Sequence, residues 1–300
     1  MRVINATTLL VLLLALGCGQ RPPKPISGLG FDDDLGRSTF IEKPPQRVIS
    51  LSPAHTELLF ALGAGDRVVG VSAFCNFPPE VKSRTNVGGP DPAKFSLETI
   101  VSLKPDFVLA DSNYQKQAVE SLERLRVPVL AYEANSIDDI VRVMTVLHRI
   151  LGDSPTGKKT VEQFERDAKA LAVGRYRDMP TVLYLAGEQP IFAAGGGSFT
   201  NELIERAGGK NLFGDIKDKY PNVSEEEILR RNPDVIVLAR PPDPEAKRKE
   251  LLARPTWQKL KAIQNQRIVF VDEDMASRPG PRILDAIREL ENALHPKTKP

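Results

Sequence analysis

Few residues of this 300-residue chain are of a type and spacing that could do chemistry, and the usual enzyme constellations are missing. There is no G-x-S-x-G nucleophile elbow, no P-loop and no H-E-x-x-H zinc pair. Histidines stand at positions 55, 148 and 295. His148 falls in a helical stretch and His295 in the C-terminal tail, so a three-histidine metal site is not expected. Cys75 has no basic or imidazole neighbour in sequence and reads as a small buried hydrophobe rather than a nucleophile. Gly195-Gly196-Gly197 follows a strand pattern and precedes a helix, the place where backbone N–H groups can cradle a phosphate. No Lys-Ser/Thr pair follows it, and glycine runs that merely turn the chain are commoner. No catalytic residue, resident cofactor or metal site is expected, and the chain does not read as an enzyme.

One pair of acids carries more. Residues 96–110 read SLETIVSLKPDFVLA and residues 224–238 read SEEEILRRNPDVIVL. Without a gap, Ser96 matches Ser224, Glu98 matches Glu226, Ile100 matches Ile228, and Pro105-Asp106 matches Pro233-Asp234. Each copy predicts a Ser-capped helix, a Pro-Asp turn and a short β-branched strand. An acid in the first helical turn gains about 0.3–1 kcal/mol from the helix dipole. That accounts for Glu98 and Glu226 singly, but it does not require the whole unit to recur. One such unit in each half implies two similar α/β lobes. Two acids related by that pseudo-symmetry suit docking onto a two-fold partner bearing basic residues. Docking and local capping both fit the residues.

Two loops have the composition of cleft walls. Phe74 and Phe77, followed by Pro78-Pro79, give an apolar surface after a first-lobe strand. Asp274, Met275, Ala276, Ser277 and Arg278 give mixed polar contacts after a second-lobe strand. Open α/β sheets bind ligands beyond the carboxyl ends of their strands, where both loops fall. Ordinary core burial is the competing explanation for the phenylalanines. Tyr114, Tyr184 and Arg240 also follow or end strands and are weaker candidates.

The elements that must position these residues alternate along the chain. Thr7 to Leu16 is an apolar run too short to span a bilayer comfortably; with Met1-Arg2 before it and Gly17-Cys18 after it, it reads as a targeting signal. Gly19 to Pro45, rich in Pro, Gly and charge, is expected to be a mobile tether with at most one short strand. Val48–Leu51, Val68–Val71 and Val127–Ala131 are predicted strands, with Thr56 capping a helix from Glu57 to Leu62. Ile137–Leu151 is a predicted amphipathic helix, and a long helix through Val161, Phe164, Ala168 and Leu171 joins the lobes. In the second half, Thr181–Leu185 and Arg267–Val271 are predicted strands, with a helix around Trp257–Ile263 in a surface-type context. Glu273–Pro281 is an irregular loop, and Ile283–Leu294 closes the chain as a helix. The net charge of +2 and the absence of a long basic run give no reason to expect a nucleic-acid partner. Two cysteines in different contexts do not make a disulfide framework.

Several of these stretches together carry a family resemblance: Arg47-Val-Ile-Ser-Leu-Ser-Pro-Ala-His-Thr-Glu57, Val69-Gly-Val-Ser72, Phe77-Pro-Pro79, Leu97-Glu-Thr-Ile-Val-Ser-Leu-Lys-Pro-Asp106 and Pro281-Arg282. Over Arg47 to Leu294 they resemble the helical-backbone periplasmic substrate-binding proteins that deliver cobalamin, siderophores or haem to ABC importers. The vitamin B12-binding branch is the most similar. Gly17-Cys18 resembles the lipobox of bacterial lipoproteins, which implies a lipid on Cys18 and an extracytoplasmic, membrane-anchored protein. The resemblance implies an α/β fold of two Rossmann-like lobes with parallel sheets. It divides the chain into a signal peptide (1–17), a tether (18–46), an N-terminal lobe (47–152), a connecting helix (153–177) and a C-terminal lobe (178–295). It implies that Glu98 and Glu226 meet the permease dimer of an importer, and that Phe74 and Asp274 to Arg278 contact a corrinoid. Two departures stand out. The relative's tryptophan-lined cleft has no counterpart, since Trp257 is the single tryptophan, and Ala207 replaces one cysteine of its disulfide. On the same scaffold a ferric siderophore would favour a more basic cleft, for which Arg240, Arg278 and Arg282 are available. Haem would need an axial ligand such as His55 or a Tyr.

Overall fold

The computed structural model describes residues 28–88 and 94–296. Cys18 and the signal segment lie outside the described residues. The chain opens with an antiparallel hairpin, β1 (Leu29–Asp32) and β2 (Ser38–Ile41), where a mobile tether was expected. Phe31 and Ile41 of this hairpin are buried in the main core. Asp33 at its turn accepts hydrogen bonds from Leu35 N and Arg37 N and, across the chain, from Ala131 N at 3.0 Å. Composition marked the segment as loop-rich; two apolar anchors and one buried carboxylate are what hold it down.

The first lobe is a wholly parallel five-stranded sheet. Its strands are β3 (Val48–Ser50), β4 (Val68–Ser72), β5 (Thr85–Gly88), β6 (Phe107–Asp111) and β7 (Val129–Tyr132), in the order β5-β4-β3-β6-β7. Burial on both faces explains why β3, β4, β6 and β7 read as largely apolar runs rather than alternations, while the edge strand β5 leaves Thr85 and Asn86 exposed. Between them run α1 (Pro53–Ala61), α2 (Leu97–Ser102) and α3 (Lys116–Arg124). Thr56 does not cap α1. The helix begins three residues earlier with Pro53 in its first turn, where a missing N–H costs nothing. Thr56 sits inside it, and its hydroxyl bonds Ser50 Oγ at 2.8 Å and Ser52 O at 3.0 Å.

Two helices lead across, α4 (Ile137–Ile150) and α5 (Pro155–Ala170), each capped by a serine, Ser136 and Ser154. The connecting helix is thus shorter than the expected 153–177. It touches both lobes: Thr160 Oγ1 reaches Ala61 O of α1 at 3.2 Å, and Ala168 O accepts from Arg206 of the second lobe at 3.0 Å.

The second lobe contains β8 (Thr181–Glu188), β9 (Ile191–Ala193), α6 (Phe199–Arg206), β10 (Lys210–Asn211), α7 (Glu225–Arg231), β11 (Val235–Ala239), α8 (Pro244–Ala253), α9 (Lys261–Gln264), β12 (Ile268–Val271), α10 (Glu273–Ser277) and α11 (Ile283–Leu294). Strands β10-β8-β11-β12 are parallel, but β9 pairs antiparallel with β8. The sheet is therefore mixed at one short strand, on a parallel path that agrees with the expected two α/β lobes with parallel sheets. Helix α8 starts at Pro244 under an Asp243 cap, with the proline in its first turn. The segment 273–281, expected as an irregular loop, contains the short helix α10, capped by Asp272. Trp257 is wholly buried in the second lobe's core, with Arg254 stacked 4.2 Å from its ring, and not in a surface setting.

The repeated unit folds the same way twice. Ser96 Oγ accepts from Thr99 N and Ser224 Oγ from Glu227 N, each at 3.1 Å. Both helices end in a left-handed residue directly before the proline, Lys104 (φ 48°) and Asn232 (φ 50°). The aspartates then pin the first strand of their own lobe. Asp106 accepts from Gln46 N and Arg47 N, each at 2.8 Å, ahead of β3. Asp234 accepts from Thr181 N at 2.9 Å and Thr181 Oγ1 at 2.7 Å, at the start of β8. Burial works against ionisation of Asp234, but the Thr181 bonds and Lys261 outweigh it and hold the carboxyl below its usual range. An acid with a depressed folded pKa stabilises above its unfolded value near pH ~4 and loses that contribution as pH falls through the folded value. Asp234→Ala should therefore cost about 2 kcal/mol at pH 7, and the gap from the parent should close on acidification below pH ~4. Urea titrations at the two pH values check this; a pH-independent gap would refute the charge-based account.

Candidate functional site

The hollow that matters lies where the carboxyl ends of the first sheet's strands face the second lobe. Leu51 to His55 follow β3, Phe74 follows β4, Phe95 follows β5, Asp111, Tyr114 and Gln115 end or follow β6, and Ala134 follows β7. Ser277, Arg278 and Pro279 close it from the second lobe, after β12. The cleft encloses about 330 Å³. Its position is the one that open parallel sheets use for ligands. A hollow of about 440 Å³, lined by Thr181, Lys210, Asp215 and Arg231 among others, sits at the amino end of β8 instead and carries ion pairs such as Arg231–Asp215.

The sequence-predicted contact residues divide within this geometry. Phe74 is 44% exposed and lines the cleft. Phe77 lies outside it, beneath the Arg282 guanidinium at 4.1 Å from the ring centre. Of the five residues 274–278, Ser277 and Arg278 line the cleft. Asp274 points sideways to Arg278 (2.6 Å) and Asn76 (2.7 Å). Met275 packs half-buried against the core, and Ala276 is fully buried in it. Ala276 therefore offers a ligand no surface, because α10 turns one face of the segment inward. Among the weaker candidates, Tyr114 is an exposed cleft residue, Tyr184 is buried in β8, and Arg240 is paired with Glu289 at 2.6 Å.

The glycine run is a packing device. A Cβ on Gly195, Gly196 or Gly197 would lie 2.1–2.2 Å from the carbonyl oxygens of Asp218, Gly214 or Lys217. Gly195 N and Gly196 N are already bonded to Lys219 O and Ile216 O. The chain segment 214–219 fills the space a phosphate would need. Cys75 Sγ lies 3.1 Å from Thr56 Oγ1 and 3.2 Å from Ser72 Oγ. Burial pushes its thiol up, against the pull of those hydroxyls, so it is no nucleophile. The histidines have separate settings. His55 lines the cleft, His148 contacts Asp153, and His295 stacks on Tyr176. Among the described residues no acid, histidine and cysteine cluster could hold a metal ion.

Sequence reasoning missed the group that fastens the cleft. Glu57 of α1, its side chain 2% exposed, accepts from Arg282 Nε (2.8 Å) and Nη2 (2.6 Å) and from Arg278 Nη1 (3.4 Å). Arg278 also bonds Asn76 Oδ1 at 2.7 Å. Two carboxylates and two guanidiniums thus cancel across the lobes. The motif around Glu57 and the Pro281-Arg282 pair were both visible, but nothing in either stretch says that they meet.

The pattern of the family described as periplasmic binding protein matches residues 48–275. The chain belongs to that family. It is accordingly a transport binding protein, of the substrate-binding kind that serves ABC transporters. A vitamin B12-binding protein from Pectobacterium carotovorum is 31% identical over 83% of this chain and 88% of its own. An uncharacterized ABC transporter substrate-binding lipoprotein from Bacillus subtilis, YvrC, is 27% identical over 98% of this chain and 97% of its own. Among solved structures, the periplasmic vitamin B12 binding protein BtuF of Vibrio cholerae superposes with a TM-score of 0.73 at 27% identity, covering 84% of this chain and 97% of that one. The periplasmic haem-binding protein BhuT, in complex with two haems, gives 0.72 at 26% identity, covering 83% and 98%. The α/β architecture is common to them.

Removing one arginine from a buried carboxylate strands a charge, which typically costs about 3–5 kcal/mol. Because Arg278 remains, Arg282→Leu is expected to cost about 3 kcal/mol at neutral pH. A loss under about 1 kcal/mol in denaturant unfolding would show the bridge to be no stronger than a surface pair.

Proposed function

We propose that this chain is the extracytoplasmic, lipid-anchored substrate-binding protein of an ABC importer, and that it captures cobalamin or a related corrinoid. The observation that carries the reading is the cleft itself: apolar and aromatic at the strand ends, and without surplus positive charge. Arg278 and Arg282 are balanced by Glu57 and Asp274, and Arg240 is engaged with Glu289. Asp111 Oδ1 accepts from Asn113 N and Tyr114 N. Such walls favour a flat macrocycle with a neutral amide periphery over an anionic iron chelate. Phe74, Phe95 and Tyr114 would cover the ring, while Ser277 and Arg278 would meet its edge. The B12-binding relatives support the same ligand. No cofactor and no chemical step are involved.

Haem is the second reading, supported by the haem-binding structure, whose TM-score of 0.72 is close to the 0.73 of the vitamin B12-binding one. Calorimetry of the purified protein from residue 18 onward with cyanocobalamin, haemin and a ferric siderophore separates them. Saturable one-to-one binding of cyanocobalamin is expected; heat from an iron complex alone would keep the scaffold and move the ligand.

Glu98 and Glu226 support the delivery half of the proposal. Each is exposed on the first turn of an equivalent helix, and neither has a hydrogen-bond or ion-pair partner among the described residues. We assign them to docking on a permease dimer. The double variant Glu98→Ala, Glu226→Ala should bind ligand normally yet fail to support uptake through the importer; intact uptake would remove the docking role. Cys18 is the proposed lipid site, and Cys18→Ser should release the protein from membranes in a fractionation assay. Retention with a lipid label would defeat the assignment.

A further inference from the structure

We propose that Asp111, Ser52 and the first turn of α1 form a carboxamide subsite in the cleft, which takes a primary amide of the corrinoid rim and rejects a carboxylate in its place. The inference rests on the corrinoid reading above and adds to it the residues that choose between an amide and an acid. Asp111 ends β6, lines the cleft and is half-buried. Its Oδ1 accepts from Asn113 N at 2.9 Å and Tyr114 N at 3.0 Å, but its Oδ2 has no hydrogen-bond or ion-pair partner among the described residues. Arg278, a cation that lines the same cleft, is engaged by Glu57, Asp274 and Asn76. A carboxylate oxygen is therefore left open on a largely apolar wall, where it calls for a donor from the ligand.

The neighbouring strand end supplies the opposite polarity. Strands β3 and β6 pair with Ser50 opposite Leu109, and Leu51 N still bonds Leu109 O at 2.9 Å. Two residues further along that register, Ser52 comes beside Asp111. Gln115 fixes the two ends together, accepting from Asp111 N at 2.8 Å and donating to Leu51 O at 2.7 Å. Ser52 stands at the N-cap of α1, yet its hydroxyl does not cap the helix. The residue is 7% exposed and lines the cleft, and its Oγ, without a hydrogen-bond partner among the described residues, is not sealed from solvent. The N–H groups of Ala54 and His55 have no acceptor among the described residues, and those of a first helical turn point out along the axis.

A carboxylate beside the positive end of a helix sets the polarity of what fits between them. An anion would meet Asp111, and a cation would meet the helix end. A primary carboxamide satisfies both: its oxygen accepts from Ser52 Oγ and the α1 N–H groups, and its NH2 donates to Asp111 Oδ2. The side chains around a corrin ring end in such amides, whereas haem carries carboxylates. The subsite thus separates two ligands that apolar walls alone would treat alike, since a site built to hydrogen-bond rejects a group that leaves it unmatched.

The test uses the purified protein from residue 18 onward, titrated at pH 7 by calorimetry. The ligands are cyanocobalamin and its monocarboxylic acids, each with a single rim amide hydrolysed, one for each position. At least one acid should bind wild-type protein about thirtyfold more weakly than cyanocobalamin. Asp111→Asn, which keeps the size of the side chain and removes its charge, should bring that acid to within about threefold of cyanocobalamin. A side chain that served only the fold would weaken both ligands together and leave their ratio alone. Ser52→Ala should lower cyanocobalamin affinity about fivefold with the urea midpoint unchanged, because its hydroxyl caps nothing; it serves as the second variant if Asp111→Asn does not fold, and unchanged affinity would remove Ser52 from the subsite. Acids that all bind wild-type protein like cyanocobalamin, or a preference that survives Asp111→Asn, overturn the subsite and leave the corrinoid reading standing. Binding of no corrinoid overturns both.

Discussion

The buried carboxylate of Glu57 is the constraint on which the arrangement of the lobes turns. A carboxylate with 2% of its side chain exposed is tolerable only if its charge is met and its lone pairs are filled. Both guanidiniums that meet it come from the other lobe, just before α11. The geometry that satisfies Glu57 therefore also sets how far α1 stands from α10 and α11, and so the width of the cleft. The same arginine that reaches Glu57 reaches Asn76 and Asp274, which ties the loop after β4 into the bridge. Phe74 stands on that loop, so one cleft wall is placed by electrostatics acting two residues away.

Beneath the cleft a second set of bonds shapes the floor. Thr56 links Ser50 and Ser52, and Cys75 completes the cluster through Thr56 and Ser72. Short side chains of this kind let β3 turn into α1 with almost no exposed surface, since Ala54 to Leu59 are all buried. A helix sunk that deeply has no solvent-facing side for its polar residues. Glu57 is turned to the lobe interface and His55 to the cleft because those are the available polar exits.

How much of this was legible in the sequence depends on the range over which each residue acts. The serine caps, the Pro-Asp turns and most strands are local, and the sequence places them close to where they are. Thr56 was misread because a proline three residues before it is also a helix start, and one hydroxyl serves cap and interior positions alike. The hairpin at 29–41 and the burial of Trp257 depend on partners far along the chain, so composition misjudged both. The cleft was legible only as a class of position, beyond the strand ends. Which of residues 274–278 face it depends on α10, a single turn too short to leave a periodic signal. The Glu57 bridge spans more than two hundred residues of sequence, and no spacing rule connects its ends.

The pseudo-symmetry explains a division of labour between the two kinds of surface. The repeated unit supplies each lobe with the same outward helix and the same aspartate pin, and it leaves Glu98 and Glu226 exposed at equivalent positions. The cleft is built from what is not repeated: the hydroxyl cluster, the loop after β4, and α10. The first sheet's strand ends supply most of its walls and the second lobe supplies a short rim. Symmetry in a partner is matched by repetition. A single asymmetric ligand gains nothing from it, because two equivalent walls would allow two equivalent poses. Confining the polar and aromatic contacts largely to one lobe leaves one orientation favoured, and leaves the second lobe to hold its distance through Glu57.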